Sequence, residues 1–232
     1  MGEEEIKDVK EEKDEKPVEE FNLFKEVLSW IKILIIAFVV AFILTHFVIV
    51  NAKVPTGSME NTIPTGSRIV GSRLAYKFSD PKRFDIVIFK APDSPEENYV
   101  KRLIGLPGEK VIIDDATVTI EATDGETIQL DEKYLKEEWF DSTGPYEFEV
   151  PEDCYFFLGD NRNYSNDARK WVHTYVKRDA LLGKVEFMYY PSIEWLGSQE
   201  YDEISVDSNT EDSSTENSTE IVTKMETQTV NN

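Results

Sequence analysis

Residues Ile112 to Leu130 read IIDDATVTIEATDGETIQL, and they decide the fold class of this 232-residue chain. β-Branched runs flank Asp124-Gly125, a pair that is typical of a tight turn between antiparallel strands, because both residues tolerate a positive φ. Similar runs follow one another closely from Arg68 to Pro191 and are bounded by turn residues: RIVG, FDIVIF, YVKRLIGLPGE, KVIID, TVTIEA, TIQL, YEFEV, CYFFLG and KVEFMYYP. This spacing predicts a mainly β domain over residues 51–197, built as an antiparallel sheet or a barrel-like structure.

Two segments of this region have a helical pattern instead. They are EKYLKEEW, residues 132–139, and VKRDALLG, residues 176–183. We therefore expect two short helices within the β domain.

A long apolar segment precedes the β domain. Leu28–Val50 reads LSWIKILIIAFVVAFILTHFVIV, and a helix of this length spans about 34 Å, against about 30 Å for the hydrocarbon core of a bilayer. A cleaved signal peptide is one alternative, since Val50-Asn51-Ala52 presents small residues at the usual positions, but the apolar run is too long and follows a long acidic segment. A buried helix is rarely apolar on every side. We predict one transmembrane helix over residues 27–50.

The formal charge of −21 is concentrated at the two ends of the chain. Residues 1–20 carry ten acids against four lysines, and residues 198–232 carry nine acids against one lysine. Such compositions bury too little apolar surface to fold, so we expect mostly disordered acidic tails over residues 1–26 and 198–232. The chain has no basic stripe and no RNA-binding aromatic motif, which argues against a nucleic-acid partner.

Basic residues flank the apolar segment unevenly. More of them lie at or before its near end (Lys10, Lys13, Lys16, Lys25 and Lys32) than shortly after its far end (Lys53 and Arg68). Because positively charged flanks stay on the cytoplasmic side, we expect a single-pass protein of the plasma membrane. Its N-terminus would be cytoplasmic, and everything from Asn51 on would be extracytoplasmic.

Two serines are candidates for a nucleophile. The letters PTGS occur twice, at Pro55–Ser58 and at Pro64–Ser67, and each copy is also ordinary turn chemistry. Ser67 precedes Arg68 and an apolar strand, as the last residue of a turn would. If only one of the two is a nucleophile, its position close to the apolar segment favours Ser58.

A serine nucleophile needs a base, and the chain offers few. His46 lies in the apolar segment, so His173 alone would have to complete a Ser/His/Asp triad. The other option is a lysine. Lys101-Arg102 interrupts an apolar strand, and strand alternation places the two side chains on opposite faces without showing which face is buried.

Only Lys101 of this pair could act as a base, because arginine does not lose its proton in proteins. To be half neutral at about pH 8, its pKa must fall from about 10.4, which corresponds to about 3.3 kcal/mol. Burial against apolar side chains can supply that change. The alternative is that Lys101 merely extends from the strand to solvent.

A dense polar loop, GDNRNYSNDAR, follows an apolar strand at Gly159–Arg169. Counted from its first aspartate, the loop has Ser165 where a calcium loop needs glycine, so an EF-hand site is excluded and no metal is expected. The loop is either a solvated turn or part of an active site. In the second case Ser165 could orient an ammonium group, and Asp167 with Arg169 could form an ion pair.

Four stretches of the chain occur in a recognisable order after the apolar segment: VPTGSMENTIPTG, RFDIVIFK, KRLIGLPGE and GDNRNYSNDAR. In this combination the region from Leu28 to Pro191 resembles the bacterial type I signal peptidases, membrane-anchored serine proteases that remove signal peptides from exported proteins. The resemblance implies a largely β catalytic domain, no cofactor, and cleavage after small residues at positions −3 and −1, the Ala-x-Ala rule. The implied partners are preprotein signal peptides and the lipid bilayer.

The resemblance also implies a role for each candidate site residue. Ser58 would be the nucleophile and Lys101 the general base, a Ser/Lys dyad without histidine. Thr56 falls where the family places a hydroxyl that joins the Ser58 N–H in the oxyanion hole. Ser165 falls where a serine hydroxyl holds the lysine. Asp167 and Arg169 fall where an ion pair supports the site.

The chain departs from the family pattern at four positions. Asn61 stands for a common Pro, Ser67 for the Asp of a Gly-Asp pair, Phe84 for a frequent Gly and Ala168 for a frequent Ser. None of these removes a dyad residue. We therefore expect them to alter local backbone geometry rather than the presence of activity.

Three other classes fit parts of the chain. A soluble Ser/Lys autoprotease of the repressor type would lack the apolar segment and carry a DNA-binding segment. An inactive scaffold would be expected to have lost Ser58 or Lys101. A cysteine transpeptidase would need a histidine near Cys154, which lies inside an apolar strand.

Overall fold

The computed structural model describes residues 23–135, 137–140, 144–197, 201 and 203–205. The chain separates into two units, residues 1–42 and 43–232. Most of the two acidic tails that we expect to be disordered, 1–26 and 198–232, lies outside the described residues.

The described part of the first unit is helical. Helix α1, Leu23–Ile43, continues as a π-helical turn, Leu44–Val48, and together they are long and apolar enough to cross a membrane. No side chain of α1 is buried, as expected of a helix whose apolar surface requires lipid. The helix begins four residues before the predicted span of 27–50. Its last two predicted residues, Ile49 and Val50, belong to a strand instead, because the β-branched pair is paired in a ladder.

The second unit is mainly β, which confirms the predicted fold class. Its described strands are all paired in antiparallel fashion: β1 Ile49–Lys53, β2 Arg68–Ser72, β3 Ile86–Lys90, β4 Asn98–Gly105, β5 Lys110–Asp114, β6 Thr117–Glu121, β7 Thr127–Leu130, β8 Tyr146–Glu149, β9 Cys154–Leu158, β10 Val176–Lys177, β11 Leu181–Tyr190, β12 Glu194–Trp195 and β13 Glu203–Ser205. One short helix, α2, spans Ala75–Phe78.

The strands form two sheets. The larger has the order β1-β2-β11-β3-β4-β9-β10, with β12 added to β11, and the smaller has the order β13-β7-β6-β5-β8. Strand β3 is buried on both faces: Val87 and Phe89 join one apolar cluster, and Ile86 and Ile88 join a second. This explains why the sequence of β3 is an unbroken apolar run rather than an alternating one.

The segment that predicts the fold contains two turns rather than one. Asp124-Gly125 lies in a five-residue loop between β6 and β7, where Gly125 has a φ of 89°. The tighter turn is Asp115-Ala116, between β5 and β6, with φ values of 42° and 65°. Two positive values are typical of a type I′ turn, for which glycine rather than alanine is the usual second residue. Because alanine occupies this position, the sequence pattern did not predict the turn.

The two predicted short helices are wrong. Residues 176–183 form β10, a single 3-10 turn at Arg178–Ala180 and the start of β11. The described part of residues 132–139 forms turns, with Tyr134 and Trp139 buried in the core. Strand pairing and burial of these aromatic rings override the weak helical propensity of both segments.

Order extends beyond the predicted domain boundary at residue 197. Strand β13 pairs with β7 and forms the edge of the smaller sheet, although it lies within the segment expected to be disordered. Tyr201 packs against Phe84 and Tyr134, with ring centroids 5.3 and 4.8 Å apart. The acidic composition around this short segment predicted disorder, and it gave no indication that one aromatic residue, Tyr201, packs on the β domain.

Replacing Ala116 with glycine is predicted to stabilise the protein. Glycine adopts a positive φ without a steric penalty, so Ala116→Gly should raise the free energy of unfolding by about 0.5–1 kcal/mol, after the small loss of methyl packing. Ala122→Gly is the matched control, since Ala122 is also partly buried but has no positive φ, and it should destabilise. Thermal melting of both variants measures the difference, and equal destabilisation by both would contradict the turn assignment.

Candidate active site

Ser58 lies in a short, tightly held turn. Gly57–Met59 forms a 3-10 turn that follows Thr56 in extended backbone, and Ser58 is buried. Asn161 holds this turn from the opposite loop: its backbone N–H donates to the Ser58 carbonyl at 3.1 Å, and its side-chain amide donates to the Gly57 carbonyl at 2.9 Å. Both carbonyls are thereby fixed, which also fixes the direction of the peptide groups around Ser58.

The ammonium group of Lys101 contacts Ser58 directly. Lys101 Nζ donates a hydrogen bond to Ser58 Oγ, and Lys101 is only 4% exposed. The side chain therefore does not extend to solvent. Its neighbour Arg102, on the opposite face of β4, is fully buried as well. Both faces of the strand are therefore buried at this point.

Burial sets the protonation of Lys101. Loss of solvation lowers the pKa of the Lys101 ammonium to about 8, and the nearby carboxylates of Asp167 and Asp160 partly oppose this by favouring the charged form. The Arg169 guanidinium acts in the same direction as burial. A substantial fraction of Lys101 is then neutral at mildly alkaline pH, and it can accept a proton from Ser58.

A buried ion pair lies beside Lys101. Arg102 donates to Asp160 through Nε at 2.8 Å and through Nη2 at 2.6 Å. The Thr62 hydroxyl donates to the same carboxylate, and Thr62 belongs to the loop that follows Ser58. The pair therefore connects β4, the polar loop after β9 and the loop that carries Ser58.

The structure brings Asp167 and Arg169 together, as the sequence predicts. Arg169 donates to both carboxylate oxygens at 2.8 Å, and the Gly159 N–H donates to one of them at 3.0 Å. Burial opposes ionisation of Asp167, but these hydrogen bonds outweigh it and hold the pKa of the carboxyl below its ordinary value. Asp167 is thus an anion that faces the site and fixes the loop.

Ser165 is buried beside the turn that carries Ser58. A Cβ added to Gly159 would lie 2.1 Å from Ser165 Oγ and 2.5 Å from the Ser58 carbonyl oxygen, so only glycine allows this close approach. Among the described residues, Ser165 Oγ has no hydrogen-bond partner of standard geometry. Its expected contact with the lysine stays a prediction.

A groove of about 700 Å³ opens over Ser58 and Lys101. It is lined by residues 51–58, 97–101, 164 and 166, and the exposed Thr56 is among them. Two strand edges border it: β1 pairs only with β2, and Asn98–Lys101 of β4 pairs only with β3 within the described residues. Free N–H and C=O groups along such edges can pair with an extended peptide.

Two departures from the family pattern have a backbone explanation. Asn61 has a φ of 80°, which proline cannot adopt, so the loop after Ser58 differs locally from one that carries proline. Phe84 has a φ of 71°, a conformation that favours glycine and costs of order 1–3 kcal/mol for other residues. Its ring packs at 6.1 Å from Tyr134 and 5.3 Å from Tyr201, which offsets part of this cost.

The other two departures, Ser67 and Ala168, lie at positions where the backbone makes the local hydrogen bond. The Ser67 N–H donates to the Pro64 carbonyl at 3.1 Å, and Gly66 has a φ of 89°, so the second PTGS is a turn that leads into β2. Ala168 is buried in the core, and its N–H donates to the Phe157 carbonyl at 3.2 Å. Both hydrogen bonds are made by backbone groups, so they require neither a carboxylate at position 67 nor a hydroxyl at position 168.

The alternative nucleophile and base lie elsewhere. His173 is mostly exposed and contacts Asp93 at 2.8 Å, so it does not pair with Ser58. Cys154 begins β9, and burial raises the pKa of its thiol, which disfavours the reactive thiolate. No cluster of potential metal ligands occurs among the residues that the structure describes.

Sequence reasoning missed several residues that hold the site. It proposed Thr56, Ser58, Lys101, Ser165, Asp167 and Arg169 as site residues but assigned no role to the following four: Arg102, Asp160, Asn161 and Thr62. The sequence signals were the density of polar residues after β9 and the charged pair Lys101-Arg102 within an apolar strand, and neither reveals partners in distant loops.

Comparisons with known proteins identify the family of the chain. Residues 27–190 match the family model described as signal peptidase, peptidase S26. The chain is 32% identical over 165 residues to a probable signal peptidase I-2 of Synechocystis, an alignment that covers 69% of this chain and 72% of that protein. It is 30% identical over 187 residues to signal peptidase IB of Staphylococcus aureus, covering 74% and 93% of the two chains.

One solved structure also matches part of the chain. It is a crystal structure of a signal peptidase I from Enterococcus faecalis V583, 34% identical, covering 46% of this chain and 97% of that chain with a TM-score of 0.39. The family assignment rests on the sequence matches, which extend over most of the chain. With its apolar N-terminal helix and mainly β domain, the chain belongs to the type I signal peptidase family and is a serine peptidase.

Proposed function

We propose that this protein removes N-terminal signal peptides from exported preproteins after small-x-small (Ala-x-Ala) sites, using Ser58 and Lys101 as a Ser/Lys dyad. The observation that carries the proposal is the hydrogen bond between Lys101 Nζ and Ser58 Oγ in a buried setting. Membership of the signal peptidase family supports the substrate class.

The reaction is acyl transfer. Neutral Lys101 takes the proton of Ser58 as its Oγ attacks the scissile carbonyl carbon, and the resulting ammonium returns a proton to the leaving amine. Lys101, neutral again, then removes a proton from the water that hydrolyses the acyl-enzyme. The Lys101 ammonium returns this proton to Ser58 Oγ as the ester bond breaks, and the signal peptide leaves with a carboxylate at its new C-terminus.

The oxyanion is stabilised by the Ser58 N–H and the Thr56 hydroxyl. Two observations support this assignment: Thr56 lines the groove close to Ser58, and Asn161 fixes the adjacent carbonyls so that their N–H groups do not have to reorient during the reaction. Preorganised donors of this kind typically contribute about 3 kcal/mol each to lowering the barrier. Ser165, Asp167 and Arg169 support the lysine and the loop around it.

The groove favours an extended peptide with small residues. A substrate strand that pairs with the free edges of β1 and β4 would direct its −1 and −3 side chains to the same face, because alternate residues of a strand share a face. That face is the floor, where Ser58 and Lys101 are only 8% and 4% exposed. We infer that the small side chains of a small-x-small site fit against this floor.

The uneven distribution of lysines supports an orientation for the anchored protein. Lys25 lies in the first turn of the apolar helix and Lys32 in its N-terminal half, and the N-terminal tail carries further lysines. We therefore place the N-terminus in the cytoplasm and the catalytic domain on the outer side of the plasma membrane. Only nine residues separate Val48 from Ser58, so the nucleophile lies within about 36 Å of the helix end along an extended chain.

Substitution of either dyad residue should abolish cleavage. In a detergent-solubilised assay with a preprotein that has an Ala-x-Ala site, Ser58→Ala and Lys101→Ala should produce no cut product, because each removes a group required for the covalent step. Ser67→Ala and Lys110→Ala are the matched controls and should cleave within about twofold of the unaltered chain, since neither residue lies in the groove.

Two results would contradict this assignment. Cleavage by Ser58→Ala would exclude it as the nucleophile. If the folded, unaltered chain cleaves no preprotein, an inactive scaffold becomes the better interpretation.

The pH dependence of cleavage should report the state of Lys101. Its neutral form is the base, so kcat/KM should be low in acid, rise with pH through an apparent pKa of about 8 and then level off. Steady-state cleavage of a fluorogenic signal-peptide substrate from pH 6 to about pH 10 gives the profile. A rise centred near the ordinary lysine value would show that burial does not depress this pKa.

Asn61 should tolerate glycine but not proline. With a φ of 80°, Asn61→Gly keeps the loop after Ser58 and should retain activity within about twofold, whereas Asn61→Pro forces a negative φ and should reduce kcat by at least about tenfold. The two variants are compared by cleavage rate and by thermal melting. Full activity of folded Asn61→Pro would show that the loop conformation is not needed.

A further inference from the structure

The described part of the C-terminal segment, Tyr201 and Glu203–Ser205, packs on the β domain, and we call it the C-terminal clasp. It lies outside residues 27–190, which match the family model, so its contacts do not follow from family membership. Strand β13 of the clasp extends the smaller sheet by pairing with β7. The clasp is therefore a feature of this chain that needs its own explanation.

An ion pair anchors the clasp. Arg83 Nε donates to the Glu203 carboxylate at 2.7 Å, and both terminal nitrogens of Arg83 donate to Glu109 at 2.8 Å. Arg83 also donates to the Ile104 carbonyl at 2.7 Å. The Arg83 side chain is 7% exposed and is held by Glu109 and the Ile104 carbonyl, so Glu203 binds a guanidinium that is already fixed in position.

Tyr201 covers the buried guanidinium of Arg102. The Tyr201 ring centroid lies 5.1 Å from Arg102 Cζ, and the Tyr134 ring centroid lies 4.0 Å from it. The two rings also contact each other at 4.8 Å, edge to face. Arg102 is fully buried in their presence, so the rings keep water away from its ion pair with Asp160.

The covered ion pair leads directly to the nucleophile turn. The Asp160 carboxylate accepts a hydrogen bond from the hydroxyl of Thr62, which lies in the loop that follows Ser58. The next residue, Asn161, holds the carbonyls of Gly57 and Ser58. Any displacement of Asp160 is thus transmitted to both sides of the turn that positions Ser58 Oγ against Lys101.

We propose that Tyr201 is a positioning residue for the peptidase reaction: by covering Arg102, the clasp holds Asp160, and through it the Ser58 turn, in the geometry that acyl transfer requires. This inference rests on the proposed Ser58–Lys101 dyad. No clasp residue lines the groove, so loss of Tyr201 should reduce kcat and leave KM unchanged.

The test compares variants of the full chain in the preprotein cleavage assay. Tyr201→Ala should lower kcat about tenfold at constant KM, since small displacements of reacting groups have effects of this size or larger. Tyr201→Phe keeps the ring and should restore kcat to within about threefold. Tyr146→Ala is the matched control, because Tyr146 lies in β8 at the opposite edge of the same sheet and should leave both constants unchanged.

A purely structural role of the clasp makes a different prediction. In that case Tyr201→Ala would lower the melting temperature, but kcat per folded molecule, measured well below the melting transition, would equal that of the unaltered chain. That result would overturn the proposal. Failure of Tyr201→Phe to restore kcat would overturn the role of the ring.

A second variant keeps the proposal testable if Tyr201→Ala does not fold. Glu203→Gln removes the ion pair to Arg83 but keeps the ring, and it should lower kcat about threefold at constant KM; an unchanged kcat would overturn the proposal. If the unaltered chain cleaves no preprotein, the proposed function fails, and the role of the clasp in it fails too. If the unaltered chain cleaves the preprotein and Tyr201→Ala has the same kcat, only the proposed role of the clasp is overturned.

Discussion

The burial of Lys101 beside Ser58 is the constraint on which the rest of the site depends. A lysine in water is almost entirely charged at neutral pH and cannot act as a base, whereas burial lowers its pKa to about 8. The environment must be apolar enough to disfavour the ammonium, yet it must hold polar groups that orient the amine. The adjacent elements meet both demands at once.

Strand β4 achieves this by placing consecutive cationic residues in two different environments. Lys101 contacts a neutral hydroxyl, and its charge is only partly compensated by carboxylates nearby. Arg102 is fully paired with Asp160, which directs the negative charge of that carboxylate toward the guanidinium. Had Asp160 lacked this partner, it would favour the protonated form of Lys101 more strongly. The buried ion pair thus helps to keep the proposed base neutral.

Many features of the molecule follow from short-range patterns in the sequence. The apolar helix, the mainly β domain and the polar loop after β9 are all visible in composition and spacing, because the hydrophobic period and turn residues act locally. The sequence pattern did not predict positive φ values at residues that rarely adopt them. The Asp115-Ala116 turn uses an unusual residue pair, and Phe84 adopts a positive φ beside two tyrosines that are far away in the chain.

The sequence by itself determined the fold class, and it offered Ser58 and Lys101 as candidates and the pairing of Asp167 with Arg169 as one interpretation of the polar loop, since these depend on residue type and short spacing. Only the tertiary structure decided that both faces of β4 are buried, that Asn161 and Thr62 join the turn of Ser58 to the polar loop, and that Tyr201 covers Arg102. The physical reason is that burial and hydrogen-bond partners depend on which distant segments pack together. A strand pattern specifies alternation, but the elements that cover each face determine whether a lysine is solvated or becomes a base.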